Sequence, residues 1–368
     1  MLILAILALV LWLALLIAPW QVWRCRERLE PEPNASPLNP DFSVLIPARN
    51  EASVIADTLA ALTKSAPGVP VVLVNDQSED ATATVAGAAG LQNLAIVAGT
   101  QPPEGWSGKL WALQQGLAQI KTSRVLLLDA DIRLAPGMLS ALQRKADAGY
   151  KLVSVLAEPC WRGAAARLLL PAFVYFFKLL YPFALTNRAG NRVAAAAGGV
   201  ILIDREVLLA VGGFSAWRDA IIDDCALAAQ VKRAGHRCYL GLTRGAQSQR
   251  QQDVAGIIAM IARSAYVQLH ESPWLLIAAT VILALAFWVP PAALAFAGLT
   301  RWLGLAALIG MLLSYLPTLL YYRRNPLASV LLPLTASAYL AATWYSALRA
   351  WRGTRSVWKQ RRYPHRAG

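Results

Sequence analysis

Apolar residues form long uncharged stretches at both ends of the chain and only short runs between them. The first stretch, residues 2–20, contains no charge over a length that can cross a bilayer. Three further uncharged stretches follow near the other end, at residues 274–300, 302–322 and 326–348. The pattern predicts one N-terminal transmembrane helix and about three C-terminal ones, with a globular domain between them.

Short apolar runs alternate with helical patterns within that central region. The runs cover residues 42–47, 70–75, 93–98 and 124–129, and they are apolar throughout rather than at alternate positions. Continuous apolar runs are typical of strands that are covered on both faces of a sheet. We therefore expect an α/β fold with a mostly parallel sheet, whose ligands bind beyond the carboxyl ends of the strands.

The composition agrees with a membrane protein that carries one large water-facing domain, because the chain is 57% hydrophobic with a formal net charge of +14. Met1 leads directly into the apolar stretch, whereas a cleaved signal peptide begins with positive charges, so we expect a retained anchor. Arg24, Arg26 and Arg28 follow that stretch. The positive-inside rule then places the central domain in the cytoplasm, and we expect an integral protein of a bacterial inner membrane.

The positive charge does not indicate nucleic-acid binding. The central domain has no basic face interleaved with aromatic residues. Anionic lipid headgroups account for the basic residues beside the apolar stretches, so membrane lipids are the expected partners. The four cysteines show no C-x-x-C spacing, which argues against zinc sites and redox motifs.

These patterns divide the chain into five segments. We expect a transmembrane anchor at residues 1–22, a proline-rich polar linker at 23–40, the globular domain at 41–270, a transmembrane region at 271–350 and a basic tail at 351–368.

Two segments allow more than one interpretation. Basic residues flank the apolar stretch 326–348 on both sides, so either this stretch is a re-entrant or two-pass element or the positive-inside rule fails here. Residues 161–188 are apolar and aromatic with interspersed arginine and lysine. They fit either an interfacial helix in the headgroup plane or an internal amphipathic helix.

Acidic and polar side chains follow three of the predicted strands, at the edge where such a sheet binds its ligands. The first strand leads into Arg49 and Glu51, the second into Asp76, and the fourth into Asp129 and Asp131. Each of these alone also fits a turn or a helix cap. Their shared edge favours binding instead.

Asp129 and Asp131 are separated by one small residue, Ala130. Alternate residues of an extended chain point the same way, so the two carboxylates can project together. Two carboxylates at one site repel each other unless a cation or a shared proton lies between them. Because Mg²⁺ and Mn²⁺ take carboxylate oxygens together with substrate phosphates, the pair predicts a metal–diphosphate site.

Five motifs follow one another between roughly residues 41 and 270: FSVLIPARNE, VVLVNDQSED, WSGKLWALQQG, VLLLDADIRL, and GGVILIDREVLLAVGGF followed by IIDDCALA. Their order resembles that of the inverting family 2 glycosyltransferases, which have the Rossmann-like GT-A fold. The membrane context and GWSGKLWAL resemble the subgroup that is associated with hopanoid biosynthesis. The resemblance implies transfer of a sugar from a nucleotide-diphosphate sugar, such as a UDP-sugar, to a lipid acceptor such as a hopanoid, with Mg²⁺ or Mn²⁺ as cofactor.

The resemblance also assigns roles to individual residues. It implies nucleotide-sugar binding by Ala48, Arg49, Glu51, Asp76, Lys109 and Asp129, with Lys109 near the diphosphate. It implies metal binding by Asp129 and Asp131.

The catalytic base is implied by an acidic pair that follows a Gly-Gly-Phe segment in this family. Here Gly212–Phe214 is followed by Asp223 and Asp224, so Asp224 is the expected base and Asp223 its neighbour. The alternative is that both carboxylates only favour the positive N-terminal end of a helix.

The chain departs from the family pattern at three places. Gln77 stands where glycine is common, and Asp223 replaces the more usual glutamate. Gln249 and Arg250 are not followed by the tryptophan of the Q-x-x-R-W motif of processive synthases, which favours transfer of a single sugar. Phosphate contacts by Arg250 or Arg263 stay open.

Three other functions remain possible at this point. One is a transferase that uses polyprenyl phosphate as acceptor, another is a transporter whose domain only senses nucleotide, and the third is an inactive scaffold. Transport pathways usually need ionisable groups within the membrane, and the C-terminal stretches have almost none.

Overall fold

The computed structural model describes residues 1–32, 41–358 and 361–364. Its central element is an eight-stranded sheet with the strand order β3-β2-β1-β4-β7-β6-β8-β5. The strands are β1 (Phe42–Ala48), β2 (Val71–Asn75), β3 (Leu94–Ala98), β4 (Arg124–Leu128), β5 (Ile132–Leu134), β6 (Leu152–Glu158), β7 (Val200–Asp204) and β8 (Cys238–Ser248).

Some helices cover the two faces of the sheet, and others form a separate apolar group. They are α1 (Leu2–Ile17), α2 (Ile55–Ser65), α3 (Thr82–Gly87), α4 (Gly108–Leu117), α5 (Met138–Asp147), α6 (Ala164–Leu180), α7 (Phe183–Asn187), α8 (Arg205–Ala210), α9 (Asp223–Arg233), α10 (Val254–Gln268), α11 (Pro273–Phe287), α12 (Val289–Ala293), α13 (Leu299–Tyr321) and α14 (Leu332–Trp351). Two 3₁₀ helices, Gly213–Trp217 and Pro326–Leu331, and an antiparallel strand pair, β9 (Thr354–Trp358) and β10 (Arg361–Pro364), complete the described chain.

The sheet confirms the predicted α/β class and its mostly parallel strands. β1 pairs in parallel with β2 and β4, β2 pairs in parallel with β3, and β6 pairs in parallel with β8. β7 runs antiparallel between β4 and β6, and β5 runs antiparallel at the β8 edge. The parallel half therefore brings the carboxyl ends of β1, β2 and β4 to one edge.

Packing on both faces explains the uninterrupted apolar run of β1, whereas most residues of the edge strand β3 are exposed. Val44 and Ile46 of β1 face a core cluster that includes residues of α2 and α5. Leu45, between them, faces a second cluster that includes Leu113 of α4. Successive residues of β1 thus belong to different layers, and neither layer leaves a polar face on the strand.

The apolar C-terminal region contains fewer membrane-length helices than predicted. Within the described residues, α13 and the Pro326–Trp351 segment are each long and apolar enough to cross a membrane. The stretch 274–300, expected as one span, is divided into α11 and α12. Pro290 and Pro291 lack backbone N–H groups and interrupt the helical hydrogen bonding there.

The remaining apolar helices are shorter. α10 and α11 pass the same test only as a pair, and the chain bends by 118° between them. The N-terminal helix α1 has 16 residues, or about 24 Å, which is less than the hydrocarbon thickness of a bilayer.

The first part of the predicted linker lies along the sheet. The Leu29 amide donates to the Leu242 carbonyl over 2.9 Å, and the Leu242 amide donates to the Glu27 carbonyl over 2.8 Å. Residues 27–29 therefore lie beside β8 and form backbone hydrogen bonds with it. Residues 33–40 of the predicted linker lie outside the described residues.

Helix α6 separates the sheet from the apolar helices. Val174 packs in a cluster with Leu240 of β8. On the other side, Tyr175 shares a 2.7 Å hydrogen bond with Ser314 of α13, and Tyr339 of α14 donates to the Leu169 carbonyl over 2.9 Å. These contacts favour the internal interpretation of residues 161–188.

Candidate active site

The ends of β1 and β2 are joined by a buried arginine. Arg49, directly after β1, donates from Nη1 to the carbonyls of Asp76 at 2.8 Å and Gln77 at 3.0 Å. The Asp76 amide donates to the Ala48 carbonyl at 2.8 Å. Both charged side chains are buried. The structure therefore brings Ala48, Arg49 and Asp76 together.

The loop after β2 keeps the conformation that a glycine would favour. Gln77 has a φ of +54°, in the left-handed region. This conformation costs a non-glycine residue roughly 1–2 kcal/mol. Contacts with the loop after β1 hold it in place, because the Glu79 amide donates to Asn50 Oδ1 over 2.8 Å and the Asn50 amide donates to Ser78 Oγ over 3.1 Å. The departure from the family's glycine leaves the loop intact.

A second group of charges surrounds Lys109, in the first turn of α4. Its Nζ lies 3.0 Å from Asp129 Oδ1 at the end of β4 and 3.5 Å from Asp223 Oδ2 at the start of α9. Burial alone lowers the pKa of Lys109, but the neighbouring carboxylates outweigh it and hold that pKa well above its ordinary value. Lys109 is therefore a permanent cation between β4 and α9.

Asp224 adjoins the same group and is tightly oriented. Its Oδ2 accepts from the Gly198 amide at 2.7 Å, and its Oδ1 accepts from the Cys225 amide at 2.8 Å. Burial, followed by the charge of Asp223, raises the pKa of Asp224 to about 6, although Lys109 and the two amides oppose this shift. Asp224 is thus an ionised, hydrogen-bonded carboxylate at neutral pH.

Gly198, which sequence analysis did not single out, makes this close approach possible. A Cβ at Gly198 would lie 3.1 Å from Asp224 Oδ2 and 3.4 Å from Lys109 Nζ. The available sequence signal was the Gly-Gly pair directly before β7. Its meaning depends on which side chains fold against it.

A pocket opens between these charges and an apolar wall. Its wall includes Phe214 and Trp217, from the segment that begins with Gly212 and Gly213. Its charged lining residues are Lys109, Asp129, Asp223 and Asp224. Pro47, one residue before Ala48, lines it as well. The pocket therefore extends from the group around Lys109 to the end of β1.

Asp131 faces a different partner from Asp129. Ser248 Oγ, at the end of β8, donates to Asp131 Oδ2 over 2.6 Å. Arg250 Nη2 lies 3.3 Å from Asp131 Oδ1 and 2.8 Å from Glu51 Oε1. Arg250 thus neutralises Asp131 and joins it to the loop after β1.

Arg250 and Arg263, both left open for phosphate contact, lie in different surroundings. Arg250 belongs to the candidate site, whereas Arg263 is exposed on α10. Ser248 was not predicted. Its only sequence signal was its place two residues before Arg250, and a serine at a strand end carries no specific meaning by itself.

The acidic residues fit a cation that arrives with a phosphate ligand. Among the described residues, no group of three or more His, Cys, Asp or Glu side chains is arranged to hold a metal ion. Asp129 and Asp131 supply two carboxylates, and each is paired with a cation of the chain, Lys109 or Arg250. Mg²⁺ is commonly bound by one or two carboxylates plus substrate phosphates, which matches this donor set.

Comparison with known proteins gives three findings. The model of a family described as glycosyltransferase like family 2 matches residues 40–266. A 4,4'-diaponeurosporenoate glycosyltransferase from Staphylococcus aureus (strain USA300) is 35% identical over 91 residues, which are 25% of this chain and 24% of the relative. The match thus spans about a quarter of the length of that curated relative.

The third finding concerns the fold. The mannosyltransferase PcManGT from Pyrobaculum calidifontis, solved in complex with GDP-Man and Mn²⁺, superposes with a TM-score of 0.55 at 20% identity. The superposition covers 94% of this chain and 98% of that one. At this identity the similarity shows a shared fold over both the sheet domain and the apolar helices.

Proposed function

Because the chain belongs to the glycosyltransferase like family 2, we propose that this glycosyltransferase moves a single sugar from a nucleotide-diphosphate sugar to a lipid at a membrane. The observation that supports this most is the arrangement around Lys109. Lys109 lies within 3.5 Å of Asp129 and Asp223 in the pocket that Asp224 also lines. The pocket thus combines a fixed cation for a diphosphate with a carboxylate for a hydroxyl.

The donor nucleotide occupies the ends of β1 and β2 in this proposal. Ala48, Arg49, Glu51 and Asp76 lie there, and the Arg49 contacts to the Asp76 and Gln77 carbonyls give this edge a defined shape. The first expectation is a UDP-sugar. GDP-mannose is the second, because the similar mannosyltransferase was solved with GDP-Man.

The diphosphate lies between the two acidic positions after β4. Asp129 and Asp131 would hold Mg²⁺ or Mn²⁺ together with the phosphate oxygens, and the bound cation neutralises the negative charge of the departing diphosphate. Lys109 and Arg250 are the chain's own positive groups beside these carboxylates. When the donor binds, Lys109 and Arg250 pair with phosphate oxygens in place of the carboxylates.

Asp224 takes the proton of the acceptor hydroxyl. Its pKa of about 6 leaves it ionised at neutral pH and basic enough to accept a proton as the hydroxyl attacks. The amides of Gly198 and Cys225 fix the carboxylate plane. Asp223 raises the basicity of Asp224 and shares Lys109 with Asp129.

Helices that lead to the apolar region reach the proposed base, which supports a lipid acceptor. Tyr181, at the end of α6, lies against Cys225, the residue after Asp224. Its hydroxyl donates to Gln268 Oε1 over 2.6 Å, at the end of α10. An acceptor hydroxyl presented along α6 and α10 thus arrives next to Asp224.

The identity of the lipid is part of the proposal. The sequence resemblance favours a hopanoid, in a bacterial inner membrane with the catalytic domain on the cytoplasmic side. The curated relative is named for 4,4'-diaponeurosporenoate. Polyprenyl phosphate is the alternative acceptor, and mass analysis of the glycosylated lipid product separates these candidates.

The deciding experiment measures donor cleavage and lipid glycosylation by the purified full chain in detergent. UDP- and GDP-sugars are supplied with Mn²⁺, with Mg²⁺ or with a chelator, and extracted membrane lipids are added in a second arm. Asp129→Ala/Asp131→Ala should lose cation-stimulated cleavage, whereas Asp57→Ala, on the exposed face of α2, should keep it. Cation-stimulated cleavage that persists in the double variant, or is absent from the wild type, would refute the proposal.

A further inference from the structure

A groove of about 630 Å³ lies between α1 and α13, where both helices meet the catalytic domain. Its wall is apolar and includes Leu16 of α1 and Leu313 and Leu320 of α13. Leu313 and Leu320 are about half exposed. The groove therefore offers a continuous hydrocarbon surface beside two of the apolar helices, on the outside of the molecule.

One end of the groove is positively charged. The guanidinium groups of Arg28 and Arg244 lie 4.8 Å and 5.5 Å from the centre of the Tyr321 ring. Glu30 supplies one carboxylate, which lies 3.8 Å from Arg244 Nε and accepts from the Tyr321 hydroxyl over 2.8 Å. These two cations and one anion leave a net charge of +1 at this end of the apolar groove.

The chain holds these arginines in place before any ligand arrives. The Tyr239 hydroxyl donates to the Arg28 carbonyl over 2.9 Å, and Arg28 forms a parallel bridge to Leu242 of β8. The Arg244 amide donates to Glu30 Oε2 over 3.1 Å. Because these backbones are fixed by the sheet, a ligand binds with little ordering cost.

We propose that this groove is a binding site for one anionic phospholipid of the surrounding membrane. The lipid phosphate pairs with Arg28 and Arg244, and an acyl chain lies along the leucines of α13. Arginine is suited to phosphate because its guanidinium donates two parallel hydrogen bonds. Basic groups beside apolar helices are typical places for anionic headgroups.

This lipid is distinct from the acceptor of the transfer reaction. Arg244 precedes Ser248 by four residues along β8, or about 13 Å of extended chain, and Ser248 is the residue that holds Asp131. Among the described residues, none lines both the groove and the active-site pocket, so a headgroup at Arg244 lies outside that pocket. The inference rests on the membrane location proposed above and not on the transfer chemistry.

The test measures lipid binding to the full chain in detergent by native mass spectrometry and by the shift in melting temperature. The ligands are dioleoylphosphatidylglycerol, dioleoylphosphatidylcholine and glycerol phosphate. Phosphatidylglycerol should bind at least tenfold more tightly than phosphatidylcholine, and Arg28→Gln/Arg244→Gln should remove that preference. Glycerol phosphate, which lacks acyl chains, should bind neither protein.

Two further variants keep the result interpretable. Arg26→Gln/Arg263→Gln removes the same charge from exposed positions outside the groove and should keep the lipid preference. Arg28→Lys/Arg244→Lys keeps the charge and should retain part of it. The proposal is overturned if both lipids bind wild type equally, if the control variant loses the preference as well, or if glycerol phosphate reproduces the effect.

Donor cleavage measured on the same samples separates this proposal from the proposed function. Loss of lipid preference with intact cleavage in Arg28→Gln/Arg244→Gln is the expected outcome. Selective lipid binding by a wild type that cleaves no donor would refute the function and leave the groove assignment standing.

Discussion

The surroundings of Asp224 act on its pKa in opposite directions. Burial and the neighbouring Asp223 favour its neutral form, whereas Lys109 and two backbone amides favour its ionised form. The balance places its pKa at about 6, above the ordinary value for aspartate. A carboxylate with this pKa is a stronger base than an exposed one and is still ionised at neutral pH.

Replacement of this residue should separate chemistry from binding. Asp224→Asn keeps an oxygen that can accept from the Gly198 amide but has no basic carboxylate. We expect sugar transfer to fall by roughly 10²–10⁴-fold, the usual contribution of general-base catalysis, while nucleotide affinity changes less than about threefold. Single-turnover assays and calorimetric titration with the nucleotide measure the two quantities. Turnover like that of wild type would remove Asp224 from the mechanism.

The same pKa predicts opposite pH trends for activity and stability. The carboxylate form is the active one, so kcat/KM should fall as the pH drops through about 6. The folded protein binds the Asp224 proton more tightly than the unfolded chain does, so this residue's contribution to stability decreases as the pH rises through the same range. Thermal melts between pH 4.5 and 7.5 should show a flatter profile in Asp224→Asn. An identical profile in both proteins would contradict the raised pKa.

Gly198 gives a test of the geometry that does not remove a charge. Gly198→Ala places a methyl group 3.1 Å from Asp224 Oδ2, so the carboxylate must move away from the amide that orients it. We expect kcat/KM to fall about tenfold, equivalent to about 1.4 kcal/mol of transition-state stabilisation. Gly199→Ala is the matched control, because its methyl group meets only the apolar Ile132 side chain. An equal loss in both variants would point to general backbone damage.

At the scale of elements, Arg250 connects three strand ends that the chain visits far apart. It follows β8, pairs with Glu51 after β1, and pairs with Asp131 after β4. Both carboxylates are buried, whereas about two-fifths of the arginine side chain is exposed. The pair therefore contributes less to stability than a fully buried one, but its loss leaves two adjacent negative charges without their partner.

Removal of this cation should make stability depend on divalent metal. Arg250→Gln should lower stability by on the order of 1–2 kcal/mol in chelator. Mn²⁺ should then raise the melting temperature of the variant more than that of wild type, since a divalent ion replaces the missing charge between the carboxylates. Arg133→Gln, exposed on β5, serves as the control and should respond to Mn²⁺ as wild type does. An equal response of Arg250→Gln and wild type would show that the divalent ion does not take the place of Arg250 beside Asp131.

The elements also show what the sequence could and could not predict. The strands were predictable because both faces of β1, β2 and β4 are covered, which produces an uninterrupted apolar run. Hydropathy did not reveal the division of residues 274–300 into two helices, because it averages over Pro290 and Pro291, which lack the backbone N–H groups that helical hydrogen bonds need. The ion-pair partners of Asp129 and Asp131 could not be predicted either, because Lys109 and Arg250 are distant in sequence and meet them only in the folded sheet.

At the scale of the whole molecule, α14 contacts α6 and α10, two helices that precede the apolar C-terminal region. The chain reaches α14 from the end of α13, where the Tyr321 hydroxyl donates to Glu30 over 2.8 Å and the Tyr322 ring centre lies 5.1 Å from that of Trp161. Its middle contacts α6 through Tyr339. At its end, Trp351 Nε1 donates to the Tyr266 hydroxyl of α10 over 3.3 Å.

This placement bears on the basic residues that flank the last apolar segment. A 20-residue helix is about 30 Å long, enough to cross a bilayer. The basic residues that flank it on both sides argue for a path along the membrane surface instead. Arg323 and Arg352 would then lie on the same side as Arg26. Such a path satisfies the positive-inside rule at both ends of the segment, which a full crossing does not.

Cysteine labelling distinguishes the two paths. In a Cys160→Ser background, where the remaining native cysteines are buried, Arg352→Cys, Arg26→Cys and Ala297→Cys are each treated with a membrane-impermeant maleimide in inside-out vesicles and in intact cells. We expect Arg352→Cys and Arg26→Cys to react in the same preparation, and Ala297→Cys, in the exposed connection between α12 and α13, to react in the other. Reaction of Arg352→Cys together with Ala297→Cys would show that α14 crosses the membrane.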